Sequence, residues 1–336
     1  MIKPPKVANK IVSNFRRIAK NNKIAICCSG GADSMALLFF AIHLKYDVFV
    51  IHAVHNMRET TESLKDRDLV KNFCEQRNIK FCEISVCLED NKTEENYRNL
   101  RYQKIINACY ENGYSLAATG HNADDQLETL IMKMCRGTGL KGLSGIAEFV
   151  YKFNDKKSVK FIRPLLNTTK KDIYSICDQN KIPYNEDASN LDINYTRNKI
   201  RQQVVPVLKE LFPNASENSV HLSKIVFQSE KAISNAVKLL SCYETRTNNS
   251  VSIPKHYLST NEKIIVSKWL SEKYFYLTNK HANYILIENI SDAIKNCITK
   301  KFHLQNIIVC ISRSEVLIKK VSVQEKIFSH QKEIFK

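Results

Sequence analysis

The 336-residue sequence predicts an α/β protein: a doubly wound parallel sheet followed by a smaller helical or α+β C-terminal domain. Three observations carry that prediction. Strand-length and helix-length segments alternate over the first 200 residues, the first strand is a short apolar run suited to burial on both faces, and the polar motifs fall just after strands. In a doubly wound sheet that edge is where ligands bind.

The predicted strands are residues 23–28, 47–53, 80–86, 115–119 and 160–163, and the helices between and after them are 34–45, 60–77, 93–112, 123–135 and 170–180. The first strand breaks into Ser29-Gly-Gly-Ala-Asp-Ser34. Gly30 and Gly31 permit backbone angles that a side chain forbids, so successive amides can converge on one anion. The following helix adds its free N–H groups, and Ser29 and Ser34 add hydroxyls. No lysine follows the glycines, which excludes a Walker A loop.

After the second strand come His52, His55 and Arg58, placed to meet a nucleotide base or ribose. In the third helix Glu94, Arg98, Arg101 and Tyr102 share one side, either as an ion-paired surface or as a phosphate or carboxylate site. After the fourth strand, Gly120-His-Asn-Ala-Asp-Asp-Gln-Leu-Glu128 crowds His121, Asp124, Asp125 and Glu128 into the first turns of a helix. Capping alone explains carboxylates there, but their number beside an anion-binding turn favours catalysis. Arg136 then opens a glycine-rich segment to residue 146, either a cover over the substrate or a cap and loop.

A formal charge of +17 with pI near 9.3 suits a polyanionic partner. The sequence shows no apolar leader and no run of about 20 apolar residues, so a cytoplasmic location and no membrane association are expected. The 11 cysteines include no Cys-x-x-Cys and read as small buried hydrophobes in a reducing compartment.

Ser-Gly-Gly-x-Asp-Ser resembles the signature of the PP-loop, or N-type, ATP pyrophosphatases, a fold of the adenine-nucleotide α-hydrolase type. The wider set of motifs resembles the tRNA(Ile)-lysidine synthetases over roughly residues 23–206. It comprises the loop, His-x-x-His, Glu-x-x-x-Arg-x-x-Arg-Tyr, Gly-His-Asn-Ala-Asp-Asp-Gln-x-Glu-Thr, Arg-Gly-Thr-Gly, Arg-Pro-Leu, Glu-Asp-x-Ser-Asn and Tyr-x-Arg-Asn-x-x-Arg. Asn56-Met57 departs from the family's Gly-Leu.

The resemblance implies ATP as co-substrate, Mg²⁺, free L-lysine and tRNA(Ile) with a CAU anticodon as partners. It implies that Ser29, Gly30, Gly31, Ala32, Asp33, Ser34 and His52 bind the nucleotide, with Asp33 serving Mg²⁺ or the activated base. Asp33, His121, Arg98, Asp124 and Asp125 are the expected catalytic groups. Asp124 and Asp125, with Glu128 in reserve, would receive the lysine ammonium or metal. The remaining substrate residues are Arg58, Glu94, Arg101, Tyr102, Arg136, Arg197, Asn198 and Arg201, the last three on RNA unless residues 195–205 are simply an amphipathic helix. A homodimer is compatible with this reading. Another PP-loop tRNA-modifying enzyme such as a thiolase, or a non-catalytic RNA-binding protein, stands as the alternative.

Proline and small polar residues at 211–219 divide a catalytic domain, 1–212, from a linker helix and tRNA-recognition domain, 213–336. The second part is expected to hold helices at 218–246, 260–272 and 280–296, then strands within 299–320. Its one tryptophan, Trp269, reads as a core anchor.

Overall fold

The computed structural model describes residues 6–19, 23–55, 61–87, 93–186, 196–304 and 306–321. It divides into two compact units, Met1–Phe227 and Gln228–Lys336. The expected division after residue 212 falls at a turn, and the compact units part later, inside a long helix.

In the first unit the elements run α1 (Lys6–Ile18), β1 (Lys23–Cys27), α2 (Ala32–His43), β2 (Asp47–His55), α3 (Thr61–Glu75), β3 (Lys80–Val86), α4 (Glu94–Glu111), β4 (Leu116–Thr119) and α5 (Ala123–Cys135). They continue with α6 (Leu140–Leu143), β5 (Phe149–Asn154), β6 (Lys157–Ile162), α7 (Lys170–Gln179), α8 (Thr196–Lys199), a π-helical turn (Ile200–Val204), α9 (Val205–Leu211) and α10 (Ala215–Leu240). The sheet order is β3-β2-β1-β4-β6-β5, with β5 antiparallel to β6 and the other pairs parallel. The chain moves outward one way from β1 through β2 and β3, then reverses to β4. That leaves a switch point between β1 and β4, where the loops at their carboxyl ends diverge and open a crevice.

Burial explains the elements. Ile24, Ala25 and Ile26 of β1 are fully buried, as are Met35, Ala36, Leu37 and Leu38 of α2. Each such large side chain contributes about 1.5–3 kcal/mol of burial. The sequence reading omitted α1, although Ile11, Phe15 and Ile18 make a buried stripe there. It also omitted β5. That strand alternates exposed and half-buried residues, and Asp155 turns the β5–β6 hairpin in the left-handed region at φ 51°.

In the second unit, α10 gives way to a 3₁₀ turn (Ser241–Tyr243) and β7 (Thr245–Arg246), so the helix expected to residue 246 stops at 240. The cause is Glu244, buried under Lys273 at 2.9 Å and accepting from Trp269 Nε1 at 2.6 Å. Then come β8 (Ser250–Pro254), which the sequence reading omitted, α11 (Lys255–Ser259), α12 (Lys263–Thr278), α13 (Tyr284–Lys295), β9 (Lys300–His303), β10 (Ile307–Ile311) and β11 (Glu315–Lys320). The antiparallel order is β7-β8-β11-β10-β9, and Trp269 is fully buried in this unit's core. Among the described residues no helix is long and apolar enough to cross a membrane.

Candidate active site

The turn between β1 and α2 is built from its own hydroxyls. Ser34 Oγ accepts from the Ser29 amide at 3.1 Å, lies 3.2 Å from Ser29 Oγ and donates to the Gly31 carbonyl at 3.0 Å. Gly30 sits at φ +95°, and a Cβ there would lie 3.2 Å from that of Asp66. Gly31 precedes α2 with no side chain capping the helix, so the positive helix end and its first amides face the crevice uncapped. Ala32 is buried as the first residue of α2.

Asp33 joins this turn to the motif after β4. Its carboxylate accepts from Asn122 Nδ2 at 3.0 Å and from Lys170 Nζ at 2.6 Å. Gly120 makes the approach possible, since a Cβ there would fall 3.1 Å from Asp33 and from the Ser34 amide. Burial raises the Asp33 carboxyl above its ordinary value, with Lys170 the largest opposing influence. Burial likewise works against the Lys170 ammonium, but Asp33 outweighs it and holds the cation above its ordinary value.

The α5 acids divide the remaining work. Asn122 and Asp125 form a reciprocal capping box. Asp125 Oδ1 accepts from Arg197 at 2.8 Å and Arg201 at 3.2 Å. Glu128, only 1% exposed, takes Arg197 Nε at 2.8 Å on one oxygen and Arg201 Nε at 2.6 Å on the other. These four side chains carry two negative and two positive charges. The expected RNA-binding arginines thus lie against the expected lysine-binding acids. Their segment begins as α8 and passes through the π-helical turn, and Asn198 stands beside them in α8.

Asp124 faces another way. It accepts from the Lys170 amide at 2.6 Å, from Lys209 Nζ at 2.8 Å and from the Ser216 hydroxyl. Its full set of partners corrects the expectation that it receives a substrate ammonium: the ammonium it holds is the chain's own. Burial raises the Asp124 carboxyl, but Lys209, Ser216 and the Lys170 amide together bring it below its ordinary value.

His121 sits next to Thr119 Oγ1, 2.9 Å from Nδ1. Burial first, then the charges of Arg163, Arg197, Arg98 and Arg101, lower its pKa to about 3. The imidazole is therefore a neutral acceptor among four cations, an environment that favours a bound anion. In the ligand-free protein its ring is expected to stay neutral from pH 8 to pH 5. A histidine-ring NMR titration checks this, and a midpoint near the ordinary 6.5 would refute it.

Other expected residues lie elsewhere. His52 is 3% exposed and donates Nδ1–H to the Cys28 carbonyl at 2.9 Å, so it braces the strand behind the turn. Tyr102 is a core residue, packed edge-on to Phe161 at 5.0 Å, with its hydroxyl on Arg163. Both were expected to touch ligand; the Cys28 carbonyl holds the His52 ring and aromatic packing draws the Tyr102 ring inward. Arg98, over the Tyr102 ring at 5.9 Å, and Arg101 are two of the cations that act on His121, and Arg101 offsets part of the burial that raises the Cys27 thiol. Arg136 is the exposed C-cap of α5. Glu94 opens α4, and Arg58, Asp187–Asn190 and Tyr195 lie outside the described residues. The glycine-rich segment is anchored: Gln126 Oε1 accepts from the Ile146 amide at 2.7 Å, and Gly145, at φ +64°, leaves room for that side chain.

Sequence reasoning missed Lys170, Lys209 and Ser216, and it quoted Arg163 in the Arg-Pro-Leu motif without giving it a role. Lys170 did leave a signal. It opens α7, where the helix dipole disfavours a cation, so an anion must be near. Arg163 is 5% exposed, donates to the Ala147 carbonyl at 2.6 Å and leaves Nε without a partner in the buried interior.

A PP-loop domain family model (ATP_bind_3) matches residues 4–208. The tRNA(Ile)-lysidine synthase of Prochlorococcus marinus is 31% identical over 75% of this chain and 77% of that protein. Its counterpart from Treponema denticola is 30% identical over 92% and 68%. The Pseudothermotoga lettingae protein is 30% identical over 70% of this chain, which spans only about half, 52%, of that relative's length. Among solved structures, the U34-tRNA thiolase NcsA from Methanococcus maripaludis, with its [4Fe-4S] cluster, aligns with TM-score 0.54 at 18% identity, over 66% of this chain and 78% of that one. That likeness concerns the fold alone.

Proposed function

The chain belongs to the tRNA(Ile)-lysidine synthase family of PP-loop proteins, and on that premise we propose that it converts the wobble cytidine of a CAU-anticodon tRNA(Ile) to lysidine with ATP and free lysine. The C2 oxygen of the base attacks the α-phosphorus and pyrophosphate leaves. The lysine ε-amine then attacks C2, loses a proton and expels AMP. The observation that carries the reading is the bond from Asn122 to Asp33, which couples the phosphate turn to the acid- and arginine-rich start of α5 at the sheet's switch point.

Each group has a task in that scheme. The amides and hydroxyls of Ser29–Ser34 hold the polyphosphate, with Lys170 as a further cation at its side. Asp33 presents one carboxylate near the phosphates, which fits Mg²⁺ because that ion is commonly held by one or two carboxylates plus substrate phosphates. When bound, Mg²⁺ supplies charge neutralisation to the leaving pyrophosphate. Arg98, Arg101 and Arg163 around neutral His121 suit the negative charge that builds on the transferred phosphate. At pH 7 only about one free lysine amine in a few thousand is neutral, so a proton acceptor is required; Asp125 is the candidate, because an imidazole whose pKa is lowered to about 3 does not take up a proton at neutral pH. Asp125 and Glu128 attract the lysine ammonium. Because Arg197 and Arg201 already balance them, the extra cation calls for an anionic companion, which an RNA or ATP phosphate provides at those arginines.

The thiolase reading is not favoured. Burial raises the two cysteines before the turn, Cys27 to about 12 and Cys28 to about 11, so neither is a thiolate at neutral pH. A cytoplasmic location goes with this proposal. Labelled lysine incubated with protein, ATP, Mg²⁺ and unmodified tRNA(Ile) is expected to enter the tRNA only when ATP is present, with release of AMP. AMP release without lysine transfer would retain the nucleotide chemistry and overturn the substrate.

A further inference from the structure

We propose that the aromatic face of the β5–β6 hairpin is a stacking platform for unpaired RNA that continues the active-site cleft along the edge of the sheet. β5 is the edge strand, and its alternate residues Phe149, Tyr151 and Phe153 are 47%, 55% and 70% exposed. Side chains two apart on a strand share a face. Val150, on the opposite face, packs against the core that contains Phe161 and Tyr102. Three large rings on an open edge are an aggregation hazard that proteins usually blunt with charge or cover. Their retention here is explained by a ligand with flat, apolar faces.

The cations around the rings say which ligand. Lys160 lies directly across from Tyr151 in the ladder and carries its ammonium 4.7 Å from the centre of the Phe149 ring. Phe149 and Tyr151 pack edge to face at 6.3 Å, so the stripe is ordered. Next to Phe149, Glu148 is shared by Arg17 and Lys224, both with about half of their side-chain surface exposed. Of the four lysines from 149 to 162, Lys160 stands with the stripe, whereas Lys152 and Lys157 lie over the Tyr102 and Tyr110 rings of α4. Aromatic rings interleaved with cations match the stacked bases and backbone of a single strand.

Position makes the platform useful. Phe149 pairs with Ile162, the residue before Arg163, so the stripe begins at the carboxyl end of β6, on the same sheet edge as the phosphate turn. Nucleotides flanking a base held in the crevice could stack along it. The inference rests on the proposed RNA substrate, but no residue of this stripe belongs to the catalytic set.

The test uses the full chain with Phe149→Ala, Tyr151→Ala and Phe153→Ala combined, and Phe149→Trp as a variant that keeps a ring. Binding of unmodified tRNA(Ile) and of its isolated anticodon stem-loop is followed by fluorescence anisotropy at fixed salt. The triple variant is expected to bind at least about ten-fold more weakly, with an unchanged salt slope because no phosphate contact is removed and with ATP binding intact. Phe149→Trp should bind like the parent. Affinity within two-fold of the parent would overturn the platform, as would a triple variant whose only change is a dimer falling to monomer in sedimentation. A parent protein that neither binds the tRNA nor transfers lysine would sink the substrate reading instead.

Discussion

Asp124→Ala is expected to cost the first unit about 3 kcal/mol, lowering its melting temperature by roughly 10 °C. The residue is 7% exposed and its side chain ties the start of α5 to three other elements: the first amide of α7, Lys209 of α9 and Ser216 of α10. Alanine leaves an ammonium, an amide and a hydroxyl without their acceptor, and breaking a buried pair from one side is far costlier than the pair's net worth. Lys209 is 29% exposed, so water recovers part of the loss, which is why the figure sits at the lower end of the range for such pairs. The pH dependence has a definite sign. The folded pKa of Asp124 lies below its ordinary 3.8, so the stability it contributes is complete above that value and disappears as pH falls through the lowered folded value. Asp124→Asn should flatten that part of the acid-unfolding curve. Thermal melts and acid titrations of the two variants check both statements; an Asp124→Ala protein as stable as its parent would show that α5 is held by packing alone.

Lys170→Ala is expected to reduce kcat/KM for lysine transfer by 10²–10³-fold with little change in melting temperature. Its ammonium is 2.6 Å from Asp33 on a side chain that is 35% exposed, so water can replace it structurally. At the phosphates it cannot be replaced, because a preorganised cation beside the transferred group acts where charge develops. Asp33→Asn should cost at least as much. The double variant should lose little more than Asp33→Asn alone, since the two side chains act as one unit. Steady-state kinetics of the cycle decides the matter. Additive losses would mean that Lys170 and Asp33 serve different steps, and a Lys170→Ala protein of normal kcat/KM would make the contact an ordinary ion pair.

Local signals made the first unit's framework legible. Ile24–Cys28 reads as a buried strand because apolar side chains fill it, and the Gly30-Gly31 pair reads as an anion turn because only glycine tolerates φ +95° there. Asn122 with Asp125 announces a helix start, and α5 begins there. Chemistry written in contiguous residues is legible in the sequence because spacing alone puts such groups on one turn. By contrast, α10 stops at Leu240 because of Glu244's buried contacts with Lys273 and Trp269, 29 and 25 residues further on. No local periodicity encodes that.

Contiguous residues encode the phosphate turn, the parallel α/β order and the supply of acids and arginines. Their partners were assigned by folding across long separations. Folding gave Asp124 to Lys209 and Ser216, set Arg197 and Arg201 on Asp125 and Glu128, turned His52 and Tyr102 inward, and brought Lys170 across 137 residues to Asp33. The physical reason is that a charged side chain's role depends on which opposite charge lies within about 3 Å and how much water is excluded there. Chain closure between distant elements sets both quantities, and neither is a property of the residue's neighbours in sequence.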